Sequence, residues 1–470
     1  MIKFIITIAT AFVLVTACSS QDALGIDYAV ASANARRGQI QLPTAVTIAQ
    51  LGQQRRIVGN TVDLGAFATG LPETPEGIFA ELAKQDVYVL FNLIRDVYGG
   101  YYHFGGDEIF IPLRDYMIAT LATQAWWDYQ AFSNLLATGL GEVIGDNHFV
   151  IGGTALSPGF TFFSSHVPFG RNSEGFFHIY SGRQVVEVVG QDIDQTFRLQ
   201  LDADGHLFYG GVVYFPGVKD HYDFTVILDN GDAIVDSLTP TTTAYLPFQL
   251  SSLTFYDAVP VVTARSMSFV DGASNLDGLY RQDAINFLAY ATQLATEPVV
   301  IVDIRSNVGG NIFTPTMWLY RLLGEIVPPI SMGIPRRTRI NLPDIWLEEW
   351  YISGEDIERY ITADAAQHIE NDTLLIVLTD RHVFSAGEVF AGQLLNIEHT
   401  LIIGQNTGGA LLTNTFGFPM YLPYSNVAFS FGHGQFIFPE GVFEEGLGFA
   451  PDIWVDGDAL VAALAMLANR

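Results

Sequence analysis

Two periodicities divide the chain. Between residues 74 and 145 the apolar positions recur at three- and four-residue steps. Val87, Leu90, Leu93, Ile94 and Val97 make one stripe, following Pro75–Leu82 and the capping candidate Thr74. Tyr116–Leu121 and Trp126–Leu140 follow the same spacing, and such spacing predicts helices. The helical stretch closes at Gly145-Asp146-Asn147-His148-Phe149-Val150-Ile151. From residue 152 to 259 apolar and polar positions alternate instead. Gln184–Val189 and Phe224–Leu228 read as strands, and Asp204-Gly205 and Asp229-Asn230-Gly231 read as hairpin turns. From residue 261 onward, apolar runs of strand length alternate with helical segments. Thr263–Phe269, Val299–Ile304, Leu374–Leu378 and Leu401–Ile403 are the predicted strands. Asp283–Leu294, a segment from Gly309-Gly310 to Leu323, and Glu388–Asn396 are the predicted helices. The expected organisation is a helical domain over 70–151, a β-rich middle domain over 152–260 and an α/β domain over 261–470. Residues 18–69 are polar, show no long periodic run, and read as a tether and lead-in segment.

The α/β pattern places two turns where chemistry can occur. Leu374–Leu378 runs into Thr379-Asp380-Arg381-His382-Val383-Phe384-Ser385-Ala386-Gly387-Glu388, and a helix follows. A strand, a sharp turn and a helix set the Ser385 hydroxyl beside a helix N-terminus, where backbone amides can hold an oxyanion. Taken alone, the turn also fits an ordinary Ser N-cap. The second turn is Gly309-Gly310 after Val299–Ile304, where glycine lets backbone amides approach a substrate closely.

Composition narrows the classes. A chain of 470 residues exceeds one ordinary core. The formal charge of −28 argues against nucleic acid and anionic membrane surfaces as partners, since both reward clustered cations. The lysines are Lys3, Lys84 and Lys219, with none beyond. Cys18 is the single cysteine, so no intramolecular disulfide forms. It closes the run Val15-Thr16-Ala17-Cys18 after one early cation and a short apolar stretch, which reads as a secretory leader over 1–17. The run resembles a bacterial lipobox with Cys18 as the lipidated residue. The expectation is a lipid-anchored, extracytoplasmic protein, on the outer membrane if the cell has one. The histidines show no metal-ligand spacing, and no Gly-rich loop ends in Lys, so neither metal nor cofactor is expected.

Three motifs in order carry a family resemblance. Asp303-Ile304-Arg305-Ser306-Asn307-Val308-Gly309-Gly310 comes first, then Thr379-Asp380 with Phe384-Ser385-Ala386-Gly387-Glu388, then Glu445-Gly446-Leu447-Gly448-Phe449-Ala450-Pro451-Asp452. From about residue 75 on, the chain resembles the tail-specific and tricorn-type serine peptidases. The resemblance implies a crotonase/ClpP-like α/β catalytic domain, a peptide or protein substrate, and no cofactor. It implies Ser385 as nucleophile and the amides of Gly309 or Gly310 and of Ala386 as oxyanion hole. In one family design a Lys serves as base. Its place here falls on Ala410, so a Ser-Lys dyad is excluded.

The tricorn-like design takes a His from the helical domain and a distant Glu. His148 and Glu445 occupy those places, with Glu445 acting through an intermediate polar group. An imidazole can accept the Ser proton near neutral pH. His382 and His433 are rival bases, and Glu444 is the rival acid. Glu388 reads as support for the helix start. The middle domain sits where relatives carry a PDZ-like module, but it shows no carboxylate-binding loop. The alternative function is a non-catalytic ligand- or peptide-binding protein on the same fold. Substrate preference and oligomeric state stay open.

Overall fold

The computed structural model describes residues 24–41, 61–71, 73–268, 279–328, 330–335, 340–341, 369–414 and 418–470. The leader and Cys18 lie outside the described residues.

A parallel set of strands forms the centre. Val259–Ala264, Val299–Asp303, Leu374–Thr379 and Thr400–Gly404 pair in that order, all parallel. Their residues are mostly apolar, chiefly Val, Ile and Leu, as strands buried on both faces require. Alternate residues enter opposite cores. Val261, Ile301, Ile376, Leu378, Leu401 and Ile403 face the C-terminal helix Ala459–Ala468. Val262, Val300, Val302, Leu375, Val377 and Ile402 face the helices Leu279–Leu294, Phe313–Leu323 and Ala386–Leu394. Burying each such side chain contributes about 1.5–3 kcal/mol. Of the loops at the carboxyl ends of three of these strands, 304–310 and 380–385 carry the first two motifs, and 405–413 binds Glu445 of the third. That is where open α/β sheets place their ligand sites.

The middle segment departs from the expected separate domain. Ile453–Trp454 pairs parallel with Thr400–Gly404 on one side and with Phe197–Leu201 on the other. The hairpin Phe197–Leu201 and Leu207–Pro216, turning at Asp204-Gly205, therefore extends the central sheet. The strand Ser251–Tyr256 belongs to the same sheet, antiparallel to Val259–Ala264. The boundary near 260 is thus corrected: the sheet continues through it, because its far half is recruited by a pairing that long-range closure alone defines. Val185–Val188, Tyr222–Leu228 and Ala233–Leu238 make a separate three-stranded sheet.

The expected tether is corrected as well. Ile26–Arg37 is a helix that buries Ala29, Ala33 and Arg37. The Arg37 guanidinium reaches Asp452 at 2.5 Å and the carbonyl of Thr400 at 2.8 Å. Small residues give this helix a weak apolar stripe, so its pattern is faint in the sequence.

The helical segment holds Ala80–Asp96, Asp107–Leu121 and Tyr129–Gly141. Gly77–Phe79 and Trp126–Asp128, expected within helices, pair instead as a short antiparallel ribbon. The segment shares one core with the C-terminal part of the chain: Leu90, Ile94, Phe132 and Phe149 cluster with Met420, Phe429 and Phe431. The strand Asp146–Ile151 pairs with Ala428–Ser430, and the buried Asp86 carboxylate accepts the amides of Tyr424 and Ser425 at 3.1 and 2.7 Å. This docking carries His148 toward the loops at the carboxyl ends of the central strands.

Candidate active site

Ser385 stands at the entrance of the helix Ala386–Leu394 with φ 52° and ψ −118°. A non-glycine residue there is strained, and such strain persists only where the surroundings fix it. Gly309 explains part of that fixing. It has φ +96°, and a Cβ on it would lie 2.7 Å from the Ser385 Cβ and 3.1 Å from the Ala386 nitrogen. Only glycine allows this approach. The Gly309 N–H is already donated to Asn307 Oδ1 at 2.9 Å, and its carbonyl accepts from Met267. Gly309 therefore contributes space. Gly310 and Ala386 have no hydrogen-bond acceptor for their amides among the described residues, and these two remain as donors.

Glu388 does more than start the helix. It is fully buried, and its carboxylate accepts four hydrogen bonds. Oε1 takes the Thr407 hydroxyl at 2.7 Å and the Gly409 amide at 2.8 Å. Oε2 takes the Ala410 amide at 2.7 Å and the Ser385 amide at 3.2 Å. Burial pushes its pKa up to about 7 against the pull of those donors. One carboxylate thus ties the Ser385 turn to the loop after Thr400–Gly404. Ala410, at the place of a family Lys, is bound through its backbone.

The next residues of that loop continue the pattern. Glu445 Oε2 accepts the amides of Leu411 and Leu412 at 3.0 and 2.8 Å, and Oε1 accepts the amide of Asn147 at 2.8 Å. Burial, and then the neighbouring Asp146, raise the Glu445 pKa well above the carboxylate range. Asp146 Oδ2 takes the hydroxyls of Thr413 at 2.8 Å and Tyr98 at 2.7 Å, and its Oδ1 takes the His148 amide at 2.9 Å. Residues 409–413 form a strap held at each step by one of three buried acids.

His148 Nδ1 lies 2.5 Å from the Thr413 carbonyl. A carbonyl only accepts, so Nδ1 carries the proton and Nε2 is the free basic atom in the neutral ring. Burial lowers the His148 pKa below 6.5, despite the opposing charge of Asp146. The ring is neutral at pH 7. No hydrogen bond joins His148 to Ser385 in this structure. Glu445 reaches His148 through the Asn147 backbone. Glu444 is exposed and its neighbour Glu445 is buried.

The rival histidines are placed differently. His433 is half-buried against Asn414, and loss of solvation lowers its pKa to about 4. His382 sits under Tyr245, ring centroids 4.8 Å apart, on a turn whose amide Asp380 accepts at 2.9 Å. Asp380 also accepts the amide of Ser306, another positive-φ residue, at 2.9 Å. Arg381 clamps the Glu445 turn by donating to the carbonyls of Leu447 at 2.9 Å and Gly446 at 2.7 Å.

The sequence pattern does not single out Asp146, Thr413 or the wider role of Glu388. Asp146 lies two residues before His148, which was the available signal. Among the described residues one group has metal-ligating chemistry, Asp202, Asp204 and His206 on an exposed hairpin turn. It is remote in sequence from every motif above.

Residues 277–455 match the family model of peptidase family S41. That segment is an S41 peptidase domain. It contains Ser385, Gly309, Gly310, Ala386, Glu388 and Glu445, and it makes the protein a serine-type peptidase. His148 and Asp146 come to the S41 domain from outside it. Among solved structures the chain is similar to mature CPAF, at 14% identity over 83% of this chain and 97% of that one, TM-score 0.43. It is similar to a lipoprotein from Streptococcus agalactiae, at 13% identity over 85% and 98%, TM-score 0.39. It is also similar to the photosystem II D1 C-terminal processing protease, at 15% identity over 79% and 92%, TM-score 0.35. A comparison with curated proteins gave no match. No helix among the described residues is long and apolar enough to cross a membrane.

Proposed function

We propose that the protein is a lipid-anchored, extracytoplasmic serine endopeptidase that works through an acyl-enzyme on Ser385. His148 Nε2 takes the hydroxyl proton as Ser385 Oγ bonds to the scissile carbonyl carbon. The oxyanion is held by the Gly310 and Ala386 amides. The C–N bond breaks as His148 returns the proton to the leaving amine. Water then adds to the acyl carbon, with His148 again as base, and Ser385 is released. Glu445 and Asp146 position His148 through the Asn147 and His148 amides, and Thr413 fixes its tautomer.

The observation that supports this reading is the strap 409–413. Its backbone is bound through Glu388 to Ser385 and through Thr413 to His148. A structural cap at Ser385 needs no such link to a histidine on another segment.

Replacing Ser385 by Ala should abolish cleavage of a protein substrate and labelling by a fluorophosphonate probe, with the fold retained. Cleavage at the wild-type rate by Ser385→Ala would overturn the assignment. The anchor is tested separately: Cys18→Ala should move the protein from the membrane to the soluble fraction and remove metabolic labelling by a fatty-acid analogue. Unchanged labelling would exclude Cys18 as the acylated residue.

A further inference from the structure

Arginines collect at one place in this strongly acidic chain. A cleft of about 470 Å³ is lined by Arg36 and Arg37 from the helix Ile26–Arg37, by Arg198 from the strand Phe197–Leu201, and by the 440–442 and 449–452 segments. Its acids are Asp452 and Glu440, so the wall carries one cation in excess. The partnering is uneven. Arg36 and Arg37 both bind Asp452, at 2.8 and 2.5 Å, and Asp452 also accepts the Ile402 amide at 2.8 Å. That carboxylate is fully used. The Arg37 Nε is buried without an acceptor. Arg198 is mostly shielded from solvent, yet makes no hydrogen bond or ion pair among the described residues. Its burial, and then the Arg36 charge, lower its pKa below the ordinary arginine value.

The Arg198 guanidinium is half-buried, and its nitrogens are held by no acceptor among the described residues. Beside two other guanidinium groups it is preset for an anion, as a planar guanidinium matches the two oxygens of a carboxylate or phosphate. Ile40, Leu395, Val442 and Phe449 supply apolar wall beside the cations.

We propose that this cleft binds an oxyanion, a carboxylate or phosphate group, with Arg198 and Arg36 as its principal donors. The site lies at the Thr400 end of the strand Thr400–Gly404, since Arg37 binds the Thr400 carbonyl, whereas Ser385 and the strap lie beyond the Gly404 end. The cleft is therefore separate from the Ser385 site.

Isothermal titration of the full chain at about 0.15 M ionic strength tests it, with inorganic phosphate and octanoate as separate probes. At this net charge, unspecific anion binding is disfavoured. One saturable equivalent is expected, weakened roughly tenfold or more in Arg198→Gln and unchanged in Arg114→Gln, which removes the same charge from a surface pair. Phosphate bound more tightly than octanoate assigns a free anion. Octanoate bound more tightly assigns an amphiphile whose chain uses the apolar wall. If Arg198→Gln does not fold, Arg36→Gln replaces it, because Arg36 is half exposed and leaves the Arg37–Asp452 pair in place. Saturation by neither probe, or wild-type affinity in the arginine variant, overturns the proposal.

Discussion

Replacing Glu388 by Gln separates stability from activity. In the wild type the buried carboxyl titrates near 7 in the folded chain, against an ordinary 4.5. The sign follows from linkage. Between these values the folded state holds a proton that the unfolded state has lost, so stability falls as pH rises from about 4.5 to about 7. The interval corresponds to about 3 kcal/mol, lost in the wild type and not in Gln. Gln resembles the neutral acid. Its oxygen can keep the Ala410 and Ser385 amides, and its nitrogen can donate to the Thr407 hydroxyl, but the Gly409 amide then faces an N–H. That orphan costs about 1–3 kcal/mol at every pH. The variant should therefore be less stable than the wild type near pH 4.5 and equal or more stable near pH 8. Urea unfolding of both proteins across this range measures the difference. Activity should move the other way at pH 8: the loosened strap misplaces His148 against Ser385, with kcat down roughly 100-fold. Parallel stability profiles for the two proteins would refute the reasoning, since Glu388 would then not be titrating where burial places it.

Other consequences follow from the same geometry. In the wild type the acid limb of kcat/KM should fall near pH 7, where Glu388 gains its proton. In Glu388→Gln the remaining limb should lie below 6.5, where the half-buried His148 protonates and stops acting as a base; a peptide assay over pH reads both. Gly309→Ala should suppress fluorophosphonate labelling, because the new methyl meets the Ser385 Cβ and the Ala386 nitrogen at a φ that costs about 1–3 kcal/mol for a non-glycine residue. Normal labelling would mean that the Ser385 turn can shift without loss. Asp452→Ala strands the buried Arg37 cation and should cost about 3–5 kcal/mol in urea unfolding, whereas Asp452→Leu with Arg37→Met should recover much of it.

The helices, the central strands and the order of the three motifs could be read along the chain because each is local. Val299–Asp303 and Leu374–Thr379 are apolar runs bounded by turns, and Ala80–Asp96 carries its stripe at helical spacing. Ser385, Gly309 and Glu445 announced themselves through neighbouring residues and mutual order. Closure in three dimensions decided the rest. Whether Phe197–Leu201 joins the catalytic sheet depends on Ile453–Trp454, some 250 residues away, and no local pattern encodes that pairing. The helix Ile26–Arg37 is held by a buried ion pair to Asp452, where its own stripe of alanines is too weak to predict it. Glu388 looked like a helix-start residue because its sequence neighbours are helical, while three of its four hydrogen bonds come from residues 407–410. Asp146 gains its meaning only when Thr413 and Tyr98 converge on it. A buried carboxylate takes its role from whichever donors the fold brings to it, so the sequence determined which groups were present and the tertiary structure determined their partners.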